Sequence, residues 1–152
     1  MSNFYIQDQT GAYLYVNYDL SKLFLWDNRY ENGLLNNSGY SQIAYNPGTV
    51  LGRVASTGYL VPFSAEASDG SQFVVGVLND GIIVDPGATV EVAYCVGGDV
   101  AADQLILLGN GGADTLETVV TGRSRRVKDC IMSDAAALRI IYGQDLTFAD
   151  NS

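Results

Sequence analysis

The sequence contains no histidine. That removes the side chain most often used as a general base, and with it Ser-His-Asp triads, Cys-His nucleophiles and most zinc sites. Cysteine is scarce: Cys95 and Cys130 stand alone in 152 residues. They are too few for a disulfide framework and lack metal-ligand spacing. They read as free thiols of a protein assembled in a reducing cytoplasm. Cations are few as well, with 8 Lys and Arg against 17 Asp and Glu and a net charge of −9. Affinity for bare nucleic acid comes mainly from cations that neutralise phosphates, so direct nucleic-acid binding is not expected. No apolar run approaches the ~20 residues of a membrane span. The opening residues, MSNFYIQD, show neither the basic nor the apolar region of a signal peptide. No membrane partner, cofactor or catalytic residue is expected.

What the chain has is 17 glycines, 10 tyrosines and 47% hydrophobic residues, with 16% charged. That is apolar enough to bury a core and short enough for one main domain. Tyr suits a half-buried pleated surface, and Gly supplies the backbone freedom of tight turns. A surface so poor in charge must be polar-neutral or apolar over much of its area, which often means a partner. The charge is uneven. The first 122 residues carry 3 basic and 13 acidic side chains, the last 30 carry 5 and 4.

Residues 3–18 read as two strands around a turn at 8–11, with the period-2 alternation of a strand across Tyr13, Leu14, Tyr15 and Val16. Residues 20–30 form an apolar cluster that fits either a strand or a short helical turn. Residues 31–48 are dense in turn signals (Asn32-Gly33, Ser38-Gly39, Asn46-Pro47-Gly48) and read as a linker. This places a boundary between an N-terminal arm or small β extension, residues 1–45, and a β domain, residues 46–152. The body then reads as short strands at 49–54, 58–63, 72–78, 82–84, 90–96 and 105–108, with a further strand within 115–121. Asp85-Pro86-Gly87 is a strong turn. In 90–96, Val90, Val92, Tyr94 and Val96 fall on one face and Glu91, Ala93 and Cys95 on the other. An interrupted helix is expected over 124–141 from Val127, Ile131, Ala135 and Leu138 at helical spacing, with Ser133 and Asp134 capping a second short helix at 135–138. The tail from Asp145 reads as mobile or interacting.

Three patterns invite chemistry. LILLGNGGAD, residues 105–114, looks like a strand feeding a Gly-rich phosphate loop, but it lacks the G-x-G-x-x-G spacing and no helix is expected after it. Acidic pairs such as Asp99 with Asp103 or Asp80 with Asp85 could in principle serve a glycosidase, but nothing places them across a cleft. The basic cluster Arg123, Arg125, Arg126 and Lys128 would sit at a helix N-terminus, against the helix dipole. It reads as a contact with another subunit or another protein's acidic surface rather than a nucleic-acid site. The aromatic-rich start, with Asn3, Phe4, Tyr5, Ile6, Tyr13 and Tyr15, is the kind of segment that adds a strand to a partner sheet. Trp26 and its neighbouring tyrosines would alternatively make a platform for sugars.

An ordered string of short segments then brings a family into view: NPGTVLGRV at 46–54, TGYLVPF at 57–63, ASDGSQ at 67–72, VVGVL at 74–78 and VAADQL at 100–105. Together they resemble the lambda-type bacteriophage head decoration proteins, well over residues 46–108 and loosely over 123–142. The resemblance implies a mainly β fold, a compact β-clip or β-tulip-like domain with a short C-terminal helix and an extended N-terminal β arm. It implies a virion protein made in the host bacterial cytoplasm that binds the outer capsid surface as homotrimers at three-fold and quasi-three-fold positions. There it would cement the expanded head against packaged-DNA pressure, with the major capsid protein and itself as partners. It carries over no cofactor, metal or catalytic residue. Residues 1–45 depart from the family pattern, being longer and more aromatic than the usual arm. They leave open a β-rich adhesin or head-fibre module that binds carbohydrate or a host surface.

Overall fold

The computed structural model describes residues 2–7, 13–18, 20–135 and 137–142. The expected turn at 8–11 and the tail from Asp145 lie outside them. In chain order the strands are β1 (Ser2–Gln7), β2 (Tyr13–Tyr18), β3 (Phe24–Asn36), β4 (Ile43–Tyr45), β5 (Val50–Arg53), β6 (Leu60–Pro62), β7 (Val74–Leu78), β8 (Ile82–Val84), β9 (Thr89–Ala101), β10 (Val119–Val120), β11 (Arg125–Arg126) and β12 (Leu138–Ile141). A single helical turn at Leu20–Lys22 precedes β3, and α1 (Val127–Asp134) precedes β12. The protein is mainly β with one short α-helix among the described residues, as expected.

The architecture turns on β9. Along one edge it pairs antiparallel with β3, from Phe24 opposite Val100 to Asn36 opposite Thr89. On its other edge Tyr94 and Cys95 pair with Leu78 and Val77 of β7. Since β3 pairs with β6, β6 with β5 and β5 with β7, the sheet closes into a small barrel. Beyond β7, residues 98–101 of β9 take β12 as a parallel neighbour. A parallel return needs a crossover, and the segment carrying α1 supplies it.

Alternation along these strands sorts the apolar residues into two cores. Leu35, Leu51, Leu60, Leu78, Val92 and Tyr94, from the five barrel strands, meet with Tyr45 and Val84 inside the barrel. Their sequence neighbours Val50, Val77 and Cys95 point the other way, into a second core shared with Val127, Cys130 and Ile131 of α1 and Leu138 and Ile140 of β12. The face assignment expected for residues 90–96 holds: Val90 and Val96 pack against the barrel core while Cys95 joins the other.

Four expectations need correction. Residues 31–36 are not a linker: they are the second half of β3, fully paired to β9. The turn-like glycine at position 33 lies in the strand because Leu60 and Tyr94 crowd it, a Cβ there coming within 2.7 Å of Leu60 Cδ1. The second half of the expected helix is instead β12. Leu138 and Ile140 are buried and Arg139 exposed between them, so the period is two, not 3.6. Nor does Asp134 cap a further helix, since its carboxylate faces back to Arg123 and Val74. Residues 105–108 contribute one bridge, Ile106 to Thr49, rather than a strand. The 20–30 cluster contains both alternatives in succession, a helical turn and then β3.

Candidate interaction surface

The segments that carry the resemblance meet in one place, and their work is structural. Asp69 Oδ1 accepts hydrogen bonds from the Ser71 amide at 3.0 Å and the Ser71 hydroxyl at 2.6 Å. Gly70 sits between them with φ +111°, a conformation L side chains avoid. This turn lies on β5: a Cβ at Gly52 would come within 2.4 Å of the Ser71 carbonyl oxygen. Next to Gly52, Arg53 donates to the Tyr94 hydroxyl at 2.9 Å. Tyr94 in turn lies between glycines of both neighbouring strands, with a Cβ at Gly76 or Gly33 reaching 2.6 Å or 3.1 Å from its ring. The motifs therefore hold the barrel together, and the candidate contact residues lie elsewhere.

The basic cluster is largely spent within the chain. Arg123 makes a two-pronged pair with Asp134, at 2.7 and 2.6 Å, and also donates to the Gln72 carbonyl. Its guanidinium covers the Phe73 ring at 4.6 Å. Arg126 and Lys128 both hold Glu117, at 2.7 and 2.9 Å. The bond to Lys128 is the main cause of Glu117 sitting below its ordinary pKa. This carboxylate offsets the misfit of cations at the start of α1. Arg125 is exposed and has no partner among the described residues.

Three of the four carboxylates that might have served hydrolysis are occupied, Asp85 by the Gln42 side-chain amide at 2.7 Å. Asp80 accepts from the Ala93 amide, Asp99 holds Arg139, and Asp134 holds Arg123. The Gly-rich 105–114 segment forms a tight turn at Asn110–Gly112, and Asp114 Oδ2 accepts from the Ala65 amide at 3.0 Å. Thus the segment ends in a buried acid, which would repel a phosphate. Its Oδ1 has no hydrogen-bond partner, and Glu66 stands beside it. Partial burial, then the hydrogen bond and charge of Asp114, push Glu66 upward. Both thiols are free and buried, and burial raises that of Cys130. Among the described residues no group of three or more His, Cys, Asp or Glu could hold a metal ion, and no helix is long and apolar enough to cross a membrane.

Exposed large apolar side chains are scattered over the described residues, Tyr40 and Val119 among them, and three of them lie on β3. Trp26 is 74% exposed, Leu34 47% and Tyr30 46%, the last packed edge-on against Phe24. Leu34 stands opposite Glu91 on β9, on the side of the sheet turned away from the barrel core. Sequence reasoning singled out Trp26 and its neighbouring tyrosines but missed Leu34, because residues 31–36 read as linker. The other expected contact residues lie on the N-terminal pair of strands. Asn3, Phe4, Tyr5 and Ile6 belong to β1, Tyr13 and Tyr15 to β2, and Tyr5 stands opposite Tyr15. Among the described residues β1 and β2 form a two-stranded sheet of their own.

Comparison with known proteins fits this arrangement. No curated protein matches the chain. Residues 31–118, more than half of its length, match the family described as bacteriophage lambda head decoration protein D. That stretch runs from the middle of β3 through β9 and holds the closed barrel with the Asp69–Ser71 turn, so the chain belongs to the bacteriophage lambda head decoration protein family.

Proposed function

We propose that this protein binds as homotrimers to the outer surface of the expanded phage head, at three-fold and quasi-three-fold positions, and stiffens the shell against the pressure of packaged DNA. The family match over residues 31–118 carries this reading, since it covers the closed barrel itself. The partners would be the major capsid protein and other copies of this chain. Synthesis would take place in the host bacterial cytoplasm. The exposed apolar side chains of Trp26, Tyr30 and Leu34 on β3 support a contact surface, because interface cores favour aromatic and apolar residues over charged ones. Many copies on one shell turn modest contacts into avidity.

Residues 1–18 would be the arm that reaches the shell. Strands β1 and β2 use one edge each on one another, which leaves the outer edges for addition to a capsid sheet, with Asn3, Phe4, Tyr5, Ile6, Tyr13 and Tyr15 in contact. Arg125 would be the intersubunit or capsid cation. Arg126 and Lys128 would exchange Glu117 for a partner carboxylate at little cost, since solvent screens exposed pairs. Arg123 would join them only by giving up Asp134.

Cryo-electron microscopy of heads mixed with the protein tests the placement. Trimeric density at three-fold positions is the expected result, and monomeric density or density elsewhere would overturn it. The exposure of Trp26 favours one second reading, a head-fibre or adhesin module that stacks aromatic rings on carbohydrate. Binding in a glycan array that is lost on Trp26→Ala would support it, and an array without hits would remove it.

A further inference from the structure

We infer that Asn110 is a site of spontaneous deamidation, and that the second Asn-Gly pair of the chain, Asn32–Gly33, is protected by the barrel. In this reaction the amide nitrogen of the following residue attacks the Asn side-chain carbonyl carbon. A carbon–nitrogen bond forms, the side-chain nitrogen leaves as ammonia, and a five-membered succinimide remains. Water then opens the ring at either carbonyl, giving aspartate or isoaspartate. One water is consumed, one ammonia is released, and nothing is oxidised or reduced. The step is fastest before a residue without a Cβ, and it needs an amide nitrogen not committed to a hydrogen bond and a backbone free to bring the two atoms together.

Asn110–Gly111 meets all three conditions. Both residues are exposed, and a Cβ at Gly111 would have nothing within 4 Å. The hydrogen bonds of the turn run from the amides of Gly112, Ala113 and Asp114, and none uses the Gly111 amide. The Asn110 side chain makes no hydrogen bond among the described residues. Its backbone sits at φ 53°, a conformation that a non-glycine residue holds only at a cost, so local opening relieves rather than adds strain.

The same dipeptide at 32–33 is held on every side. Asn32 and Gly33 stand opposite Ala93 and Val92 of β9. The open face of Gly33 is filled by Leu60, a Cβ there reaching 2.7 Å from Leu60 Cδ1, and by the Tyr94 ring. Bending this backbone into a succinimide means opening the barrel. Surface loops open at far lower cost than core strands, so the two sites differ through the fold and not through their chemistry. For a head protein, made once and then carried by the particle, the modified fraction at Asn110 would record particle age.

The test holds the folded, full-length chain at mildly alkaline pH and follows both sites by peptide mass spectrometry, with isoaspartate labelling as a second readout. In the native protein, conversion at Asn110 is expected to outrun that at Asn32 on the order of tenfold or more. In denaturant, where both dipeptides are free, the two rates converge. Gly111→Ala slows conversion at Asn110 and leaves Asn32 unchanged. Equal native rates, a lead at Asn32, or an intact Asn110 under conditions where the denatured chain converts would each overturn the inference.

Discussion

The Tyr94 ring lies directly over Gly76 of the neighbouring strand, where a Cβ would come within 2.6 Å of Tyr94 Cδ2 and 2.5 Å of the Cys95 carbonyl oxygen. One contact would fall on a ring locked in the barrel core and the other on backbone, so neither neighbour gives way easily. Gly76→Ala is therefore expected to cost about 1–3 kcal/mol, as overpacking of a filled core does. Tyr94→Phe keeps the ring and loses only the bond from Arg53, at about 1 kcal/mol. Denaturant unfolding checks the order of the two effects. A neutral Gly76→Ala would mean the closure of β9 on β7 is looser than described.

Arg123 and Asp134 tie the end of α1 to β7. Asp134 also accepts from the Val74 amide at 3.0 Å, so one carboxylate serves a cation and a strand end. Asp134→Ala leaves the Val74 amide without a partner and Arg123 without a counter-charge, holding only the Gln72 carbonyl, in a largely buried place. The expected loss is about 2–3 kcal/mol, in the range for hydrogen bonds to charged groups. Arg123→Lys keeps the charge but not the two-pronged geometry or the flat contact with Phe73, and should recover only part of it. Thermal unfolding of the two variants checks the ranking.

Two carboxylates give opposite pH signatures. The Ser71 hydroxyl, then the Ser71 amide, hold Asp69 below its ordinary 3.8, so its contribution is full above that value and is lost as pH falls through the lowered folded value. Glu66 is raised above its ordinary 4.5 by desolvation first and then by Asp114. Its contribution is full below 4.5 and is lost as pH rises through the raised folded value. Protonated Glu66 would share a hydrogen bond with the Asp114 carboxylate beside it. Glu66→Gln carries a permanent donor and should flatten the decline of melting temperature on the neutral side, while Asp69→Asn should weaken the decline on the acid side. A neutral-side slope unchanged in Glu66→Gln would exclude the shared proton.

Trp26→Ser and Leu34→Ser change exposed positions and should move stability by no more than about 0.5 kcal/mol each. On the proposed reading they weaken trimer or shell binding measurably. Full binding by the double variant would show that these exposed residues of β3 are not a contact.

Deleting residues 1–18 removes β1 and β2, which among the described residues form a two-stranded sheet of their own. The remainder should fold and lose shell binding. Normal decoration by the truncated chain would dismiss the arm.

Much of the barrel was legible because its strands obey a local rule. The period of two across Val90 to Val96 reports a strand with a core on each face, and Asp85-Pro86-Gly87 reports the turn before it. The part that was not legible depends on distant residues. Gly33 reads as a turn until Leu60 and Tyr94 are known to occupy its open face. Leu138 fits a helical stripe as well as a strand, and the edge of β9 left beyond β7 decides between them. The basic cluster read as free because Glu117 and Asp134, which neutralise three of its four cations, are not adjacent to them in sequence. Leu34 was hidden by the same error that made residues 31–36 a linker.

The measurement that bears most directly on the central claim is co-sedimentation of the purified protein with undecorated expanded heads, alongside unexpanded procapsids, with bound copies counted per shell. Saturable binding to expanded heads at one trimer per three-fold position, with none on procapsids, is the predicted result. A folded protein that stays in the supernatant, or that binds both shells alike, would contradict it.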